Sequence, residues 1–427
     1  MNETKYAVGV DIGTDTVKVV VGHVGGKASA EETSAMSSQD KVTIIGVGTH
    51  KNSGMRKGTI VNLDKTAEAI DRALEKAERM SGYHIDAATV NINGSHIVGL
   101  SSRGVVAVGA GGQTIGHDEL ARVEEAATVV QLPANREILD VTPRSYKLDS
   151  QDGIRDPFGM TGVRLEVDAY MITALSPHMK NLEKVLEMTE LTPHHVIVSG
   201  LASARAVLDD QLRENGVVLI DMGATTTNVT VFEEGDIIHA AVLPIGSNNI
   251  TNDLAIGLKT ELDIAERVKV EHAVAAPELR RGSESKVAVK IGGGATAKSI
   301  EFSAEVIDEI VEARLAEIFE LVNHELKKIK RLAKLPGGAV LTGGGAKLRG
   351  IADYAREVLS MNAHVGKLPE FGGMGDKVND PSFTTVAGLM FLDAEVSAGG
   401  ANGRSDGGLL GGLMSKLGSL FSGKNKR

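Results

Sequence analysis

The chain contains no cysteine, so disulfide bridges and thiol chemistry are both excluded. This composition is compatible with a reducing cytoplasm. Tryptophan is absent too, and only 3% of residues are aromatic. That leaves too few exposed rings for a single-stranded nucleic-acid stacking platform. Basic residues are outnumbered, giving a net charge of −10, the wrong sign for a nucleic-acid footprint. No uninterrupted apolar run is long enough to span a bilayer. The first twenty residues alternate apolar and polar and include Asp11, unlike a signal peptide. The histidines are scattered, and the pair His194–His195, ahead of the strand-like "VIVSG", reads as loop rather than metal site.

What is present is ordinary globular material: 427 residues, 42% of them apolar, enough for more than one domain. Two stretches resemble each other. "YAVGVDIGTDTVKVVVGHV" stands near the start and "GVVLIDMGATTTNVTVFEEG" halfway along. Aligning Asp11 with Asp221 brings Gly13 onto Gly223, Thr16 onto Thr226 and Lys18 onto Asn228. Each is a β-branched run, a short Gly/Thr turn and a second β-branched run, the pattern of a hairpin with a polar tip. Finding it twice indicates a duplicated domain. A strand ending in Asp offers a carboxylate to a hydrated divalent cation. The following glycine admits a ligand close to the backbone, and Thr hydroxyls with free N–H groups cradle phosphate oxygens. Two such tips facing each other form a clamp for a phosphate chain.

A third element supports the clamp. In "GGAVLTGGGAKLRGIADYAREVL" a strand runs into Gly343, Gly344, Gly345 and Ala346, and a helical pattern follows. Glycines there let a flat ligand lie against the backbone. Glu266 and Lys269, three apart in "TELDIAERVKVEHAV", share a helix face and can reach a ribose or adenine edge. The order hairpin, hairpin, Gly-rich turn resembles the actin and sugar-kinase ATPase superfamily, whose two related α/β halves close on ATP. In residues 64 to 80, Ala67, Ile70, Leu74 and Ala77 recur at helical spacing, with Asp64 as expected N-cap.

The stretches "GMRKGTIVNLD", "NINGSHI", "GIRDPFGMTGVRLE", "LASARAVL" and "NDLAIGLKTELDIAERVK" resemble the bacterial cell-division FtsA family. The resemblance implies an α/β, actin-like ATPase fold with two duplicated core subdomains and two small inserts. The first core would comprise 1–86 and 167–200, with a 1C-type insert at 87–166. The second core would comprise 201–257 and 304–396, with a 2B-type lobe at 258–303. It further implies ATP and Mg²⁺ as cofactors. Asp11 and Asp221 would hold the metal through water. Gly13, Thr14, Asp15, Thr16 and Lys18, with Gly223, Ala224, Thr225, Thr226 and Asn228, would form the phosphate loops. Gly343–Ala346, Glu266 and Lys269 would meet the adenosine. The second loop departs from the family's Gly-Gly-Thr-Thr-Asp tip: it reads "GATTTN", with Asn228 in place of a carboxylate. Weak or slow ATPase activity is therefore expected, and no catalytic residue is assigned. Ser247 likewise stands where the family tends to have glycine.

Beyond the core, residues 397–408 read as a flexible linker that spans on the order of 20 Å. Residues 409–427 then fit an amphipathic helix. Leu409, Leu410, Leu413, Met414, Leu417, Leu420 and Phe421 fall within an arc of about 140°. Lys416 and Lys424 give the segment the sign that suits anionic lipid headgroups. The family resemblance agrees. It implies a peripheral protein on the cytoplasmic face of the bacterial inner membrane at the division site. Its partners would be the C-terminal peptide of FtsZ, further copies of itself in a filament, an anionic membrane surface and other division proteins, without nucleic acid. Two alternatives share the fold. One is a type IV pilus assembly adaptor, which needs no lipid-binding tail. The other is a small-molecule kinase, which needs a carboxylate base. Residues 23–40 read as a loop without assigned function.

Overall fold

Valine-rich β1 (Tyr6–Ile12) and β2 (Thr16–Val24) form an antiparallel hairpin whose register sets Asp11 opposite Lys18. The computed structural model describes residues 6–24, 42–109, 112–129, 132–279, 285–291 and 298–399. β2 thus takes in residues 23 and 24 of the stretch expected as a loop, and residues 25–40 lie outside the described residues. After β3 (Val42–Lys51) comes a small hairpin of β4 (Met55–Arg56) and β5 (Thr59–Ile60). α1 (Leu63–Ser81) then buries Ala67, Ile70, Leu74 and Ala77 as the apolar spacing predicts. Its N-cap is Asn62, which accepts the Lys65 N–H; Asp64 sits instead in the first turn, where its charge meets the helix dipole. β6 (Ala87–Ile92) returns parallel to β1.

β6 was expected to open the insert. It belongs to the core sheet instead, because it is apolar and almost wholly buried, which suits a parallel interior position. The insert's own elements are β7 (Val98–Ala107), β8 (Gln113–Thr114), α2 (His117–Thr128), β9 (Arg136–Leu148), β10 (Gln151–Ile154), β11 (Thr161–Gly162) and β12 (Arg164–Leu175). α2 covers one face of this antiparallel sheet and closes a separate core around Val123, Ala127, Leu165 and Val167. α3 (Ser176–Met188), β13 (Thr192–Val198) and α4 (Ser199–Val207) lead back to the first half. His194 and His195 lie within β13, not in a loop, since parallel pairing with β6 begins at Thr192. His194 Nδ1 is 2.7 Å from Asp393, a buried carboxylate that also accepts the Val8 N–H and the Thr89 hydroxyl.

α5 (Asp210–Asn215) precedes the second hairpin, β14 (Val217–Met222) and β15 (Thr227–Glu233). Here Asp221 pairs with Asn228, the same register as Asp11 with Lys18. The chain continues through β16 (Asp236–Leu243), α6 (Ser247–Gly257) and α7 (Leu262–His272). The two-stranded β17 (Lys286–Ile291) and β18 (Lys298–Ser303) follow, then the long α8 (Ala304–Lys328). β19 (Ala339–Thr342), α9 (Ile351–Leu359), β20 (Ala363–Val365), β21 (Gly372–Gly373) and α10 (Thr384–Gly399) complete it.

The first sheet runs β13-β6-β1-β2-β3-β21. The second runs β10-β9-β12-β7-β16-β15-β14-β19-β20 and so joins the insert to the second half. The seam is a single register pair, Ala241 with Val98. Beside it the Tyr170 hydroxyl accepts the Ala240 N–H at 2.8 Å. α10 reaches Gly399, so residues 397–399 of the expected linker are helical, and residues 400–427, including the whole amphipathic segment, lie outside the described residues. Among the described residues no helix is long and apolar enough to cross a membrane.

Candidate functional site

Three turns open on one cavity of about 900 Å³: the β1–β2 tip, the β14–β15 tip and the Gly343–Gly345 turn that follows β19. Glu266 and Lys269 of α7 line the same space. Of the nucleotide-site residues read from the sequence, only Thr225 and Ala346 are not on the wall. Ala346 packs into the second core, and the Thr225 hydroxyl is buried without a hydrogen-bond partner.

Each β-strand delivers its Asp to the cavity from a buried position. Asn91 fixes Asp11: its amide donates to Asp11 Oδ1 at 2.7 Å and its Oδ1 accepts the Ile12 N–H. Burial pushes the Asp11 carboxyl up, while Lys18, 3.7 Å away, and Asn91 pull the other way. Burial pushes Asp221 up to about 6; the Ser203 hydroxyl, 2.9 Å away, opposes the rise and the Asp11 charge adds to it. Two buried carboxylates that repel each other gain from a divalent cation between them.

Glycine is required where the turns touch. Gly343 has φ +81°, and a Cβ there would lie 2.4 Å from Asp221 Oδ1. Gly343→Ala is therefore expected to displace the Asp221 carboxylate and weaken adenine-nucleotide binding at least tenfold, with a loss of about 2 kcal/mol in stability. Nucleotide titration alongside a denaturant melt checks this; a variant that titrates like the parent chain refutes it.

The N-terminus of α6 seats the second tip. Ser247 donates both its N–H and its hydroxyl to the Gly223 carbonyl, and the Asn248 N–H donates to the Ala224 carbonyl. Ser247, the departure from glycine, thus adds a bond. Lys269 Nζ donates to Thr251 Oγ1 at 2.8 Å and pairs with Glu266 at 2.7 Å, so these side chains form one polar corner. Asp15, at the exposed part of the cavity wall, pairs with Lys51 at 2.8 Å. Burial raises its carboxyl, but Lys51 and the Thr16 hydroxyl outweigh this and hold it below the usual range.

Sequence reasoning missed several wall residues: Lys51, Gly58, Asn91, Asn93, Ser199, Arg267, Arg349 and Thr385. It also missed Asn52, which ties the first tip by donating its amide to the Gly13 carbonyl and its N–H to the Asp15 carbonyl. Asn91 and Asn93 lie inside the quoted stretch "NINGSHI", and Gly58 inside "GMRKGTIVNLD". Those stretches carried the signal without indicating that they meet the tips.

Two family models match the chain, "Cell division protein FtsA" over residues 218–388 and "SHS2 domain inserted in FTSA" over residues 94–173. The chain is 34% identical to cell division protein FtsA of Pseudomonas aeruginosa, across 93% of this chain and 91% of that one. It is 36% identical to the Bacillus subtilis protein of the same name, across 91% and 84%. The chain belongs to the FtsA family. The inserted-domain match of this FtsA-family chain starts after β6 and ends within β12, around the sheet described above. Solved structures similar to it include the PilM-PilN type IV pilus biogenesis complex (TM-score 0.62, 16% identity, covering 91% of this chain and 98% of that one). Another is MreB5 of Spiroplasma citri bound to ADP (TM-score 0.54, 12% identity, 94% and 100%). At such identities the likeness carries the fold, that of the actin-like ATPases. The function is of the FtsA cell-division type.

Proposed function

We propose that this chain binds ATP with Mg²⁺ between its two halves, assembles into filaments on the inner face of the cytoplasmic membrane, and tethers FtsZ filaments there through a C-terminal amphipathic helix. The observation that carries the nucleotide reading is the pair of hairpins in matched register, each bringing a buried Asp to one cavity. The donor set fits the group. Asp11 and Asp221 would hold a hydrated Mg²⁺. Thr14, Thr16, Thr226 and Lys18 offer donors to phosphate oxygens. Asn228 Oδ1 on the same wall is buried with no partner, an atom that a bound water or ligand donor would satisfy. Mg²⁺ neutralises phosphate charge when bound; Asn228, standing where a carboxylate would assist an attacking water, leaves ATP chiefly an assembly ligand. Gly344 and Gly345 leave room for adenosine beside the Glu266–Lys269 corner.

The membrane part rests on the sequence of residues 409–427, and the FtsZ contact is assigned to the lobe of α7, β17 and β18 on family grounds. Pelleting on anionic vesicles tests the whole. An FtsZ C-terminal peptide is expected to sediment with vesicles only when the full chain is present, and about threefold more with Mg·ATP. Peptide left in the supernatant under both conditions overturns the tether.

A further inference from the structure

The two ends of α10 are held by different chemistry. At its start the Thr342 hydroxyl donates to the Thr384 hydroxyl at 2.6 Å, and the Thr385 hydroxyl donates to Asp221 at 3.3 Å. Its middle packs closely on β1: a Cβ on Gly9 would lie 2.4 Å from the Val386 carbonyl oxygen. Toward its end, where the chain runs on into residues 400–427, a carboxylate takes over. Asp393 is 1% exposed and accepts the Val8 N–H and the Thr89 hydroxyl, each at 2.8 Å, and His194 Nδ1 at 2.7 Å. His194 stands on β13, the edge strand of the first sheet, with 40% of its side chain exposed and so open to protons from solvent. We propose that His194 and Asp393 form a proton-operated latch, which fastens the outgoing end of α10 to the first sheet and loosens as pH rises above neutrality. The latch stands apart from the nucleotide reading. Its consequence for the proposed membrane anchor, whose pull would enter the body through α10, rests on the reading above.

A carboxylate only accepts, so the His194 nitrogen facing Asp393 carries a proton whether the ring is neutral or charged. What titrates is the second ring nitrogen. Its proton turns a neutral hydrogen bond into a charge-assisted one, roughly twice as strong, and supplies a cation to a buried carboxylate whose other two partners are neutral. The hydrogen bond to Asp393, with the charges of Asp393 and of Asp86 ahead of β6, outweighs burial and raises His194 above the usual histidine value of 6.5. The fold therefore favours the protonated form. That contribution is fully present below pH 6.5 and is lost as pH rises through the raised value. The other groups around this end of the helix titrate elsewhere. Burial holds His195, next along β13, below the usual histidine range. Tyr6 of β1 is raised above its usual 10 by burial and by Asp86 and Asp393. Glu395, the next carboxylate on α10, is matched by Arg205 of α4, whose Nε donates to it at 2.8 Å. Asp221, at the far end of the helix, is pushed up to about 6. A window from about pH 6.5 to about pH 8.5 thus isolates His194 among them.

Hydrogen exchange of the full chain, without nucleotide or vesicles, reads the latch. Protection of the peptide spanning residues 389–399, taken relative to its intrinsic exchange rate, is expected to fall about fivefold across that window. In His194→Asn, whose amide can still donate to Asp393 but gains no charge, it is expected to change less than about twofold. His195→Asn should keep the parent's response. Asp140, raised to about 7, titrates in the same window but is common to all three chains. A parent whose protection does not change overturns the latch without any variant having to fold. His194→Asn changing as the parent does overturns it too. Either failure leaves the nucleotide and membrane readings standing. A chain lacking residues 409–427 that still sediments on anionic vesicles would remove the anchor and leave the latch in place.

Discussion

Asp221→Asn is expected to stabilise the ligand-free protein at pH 7.5 and to remove its response to Mg·ATP. The sign follows from the carboxyl's raised value. Burial lifts Asp221 from 3.8 to about 6, so the folded protein holds this proton more tightly than the unfolded chain. That contribution to stability is fully present below pH 3.8 and is lost as pH rises through about 6. At pH 7.5 the charged, buried group therefore destabilises the fold on the order of 3 kcal/mol relative to an ordinary carboxylate. Asparagine keeps the shape and an oxygen for the Ser203 hydroxyl but carries no charge to bury. On the proposed reading the same charge would help to hold the metal-bound nucleotide. At a hundredfold excess over Kd, Mg·ATP should add about 2.7 kcal/mol to the parent chain and nearly nothing to the variant. Asp140, raised to about 7, and Asp236, raised to about 6, titrate in the same range. The readout is therefore the difference between parent and variant melts at pH 5 and pH 7.5, with and without Mg·ATP. Equal stabilisation of both proteins by the nucleotide would remove Asp221 from the site.

Deleting residues 409–427 is expected to abolish sedimentation on anionic vesicles, dropping the bound fraction at least tenfold, with nucleotide affinity and melting unchanged. Seven large apolar side chains on one face can contribute on the order of 10 kcal/mol when fully buried, less at an interface. Against this stand three interior glycines, Gly411, Gly412 and Gly418, each opposing helix formation by roughly 1 kcal/mol. An isolated segment of this length is unfolded in water, so folding entropy is lost on binding. On the proposed reading one copy would bind reversibly, and a row of copies would bind firmly through effective concentration. Vesicle binding of the full chain should accordingly rise more steeply than linearly with its concentration. A truncated chain that sediments equally well refutes the anchor.

Much of this architecture was legible before any coordinates, because its signals are local. Alternating β-branched runs around Asp11 and Asp221 specify two hairpins, and their likeness specifies the duplication. The apolar spacing of α1 reports its buried face, and the glycine run after β19 reports the third turn. The same locality limits what can be read. β6 looks like the start of an insert until its pairing with β1 places it in the core sheet. His194 sits in a strand because β6 lies beside it. Nothing near Asn93 in the chain names Thr226 as its partner, and nothing near Asp221 names Ser203 or Thr385. By itself the sequence determined the hairpins, their shared Asp-Gly-Thr order and the family. The tertiary structure alone decided which distant side chains complete the cavity, how the insert joins the second sheet, and how strongly Asp221 holds its proton. Periodicity and turn chemistry act within a few residues, whereas burial, charge repulsion and hydrogen-bond partners are set by whatever packing brings alongside.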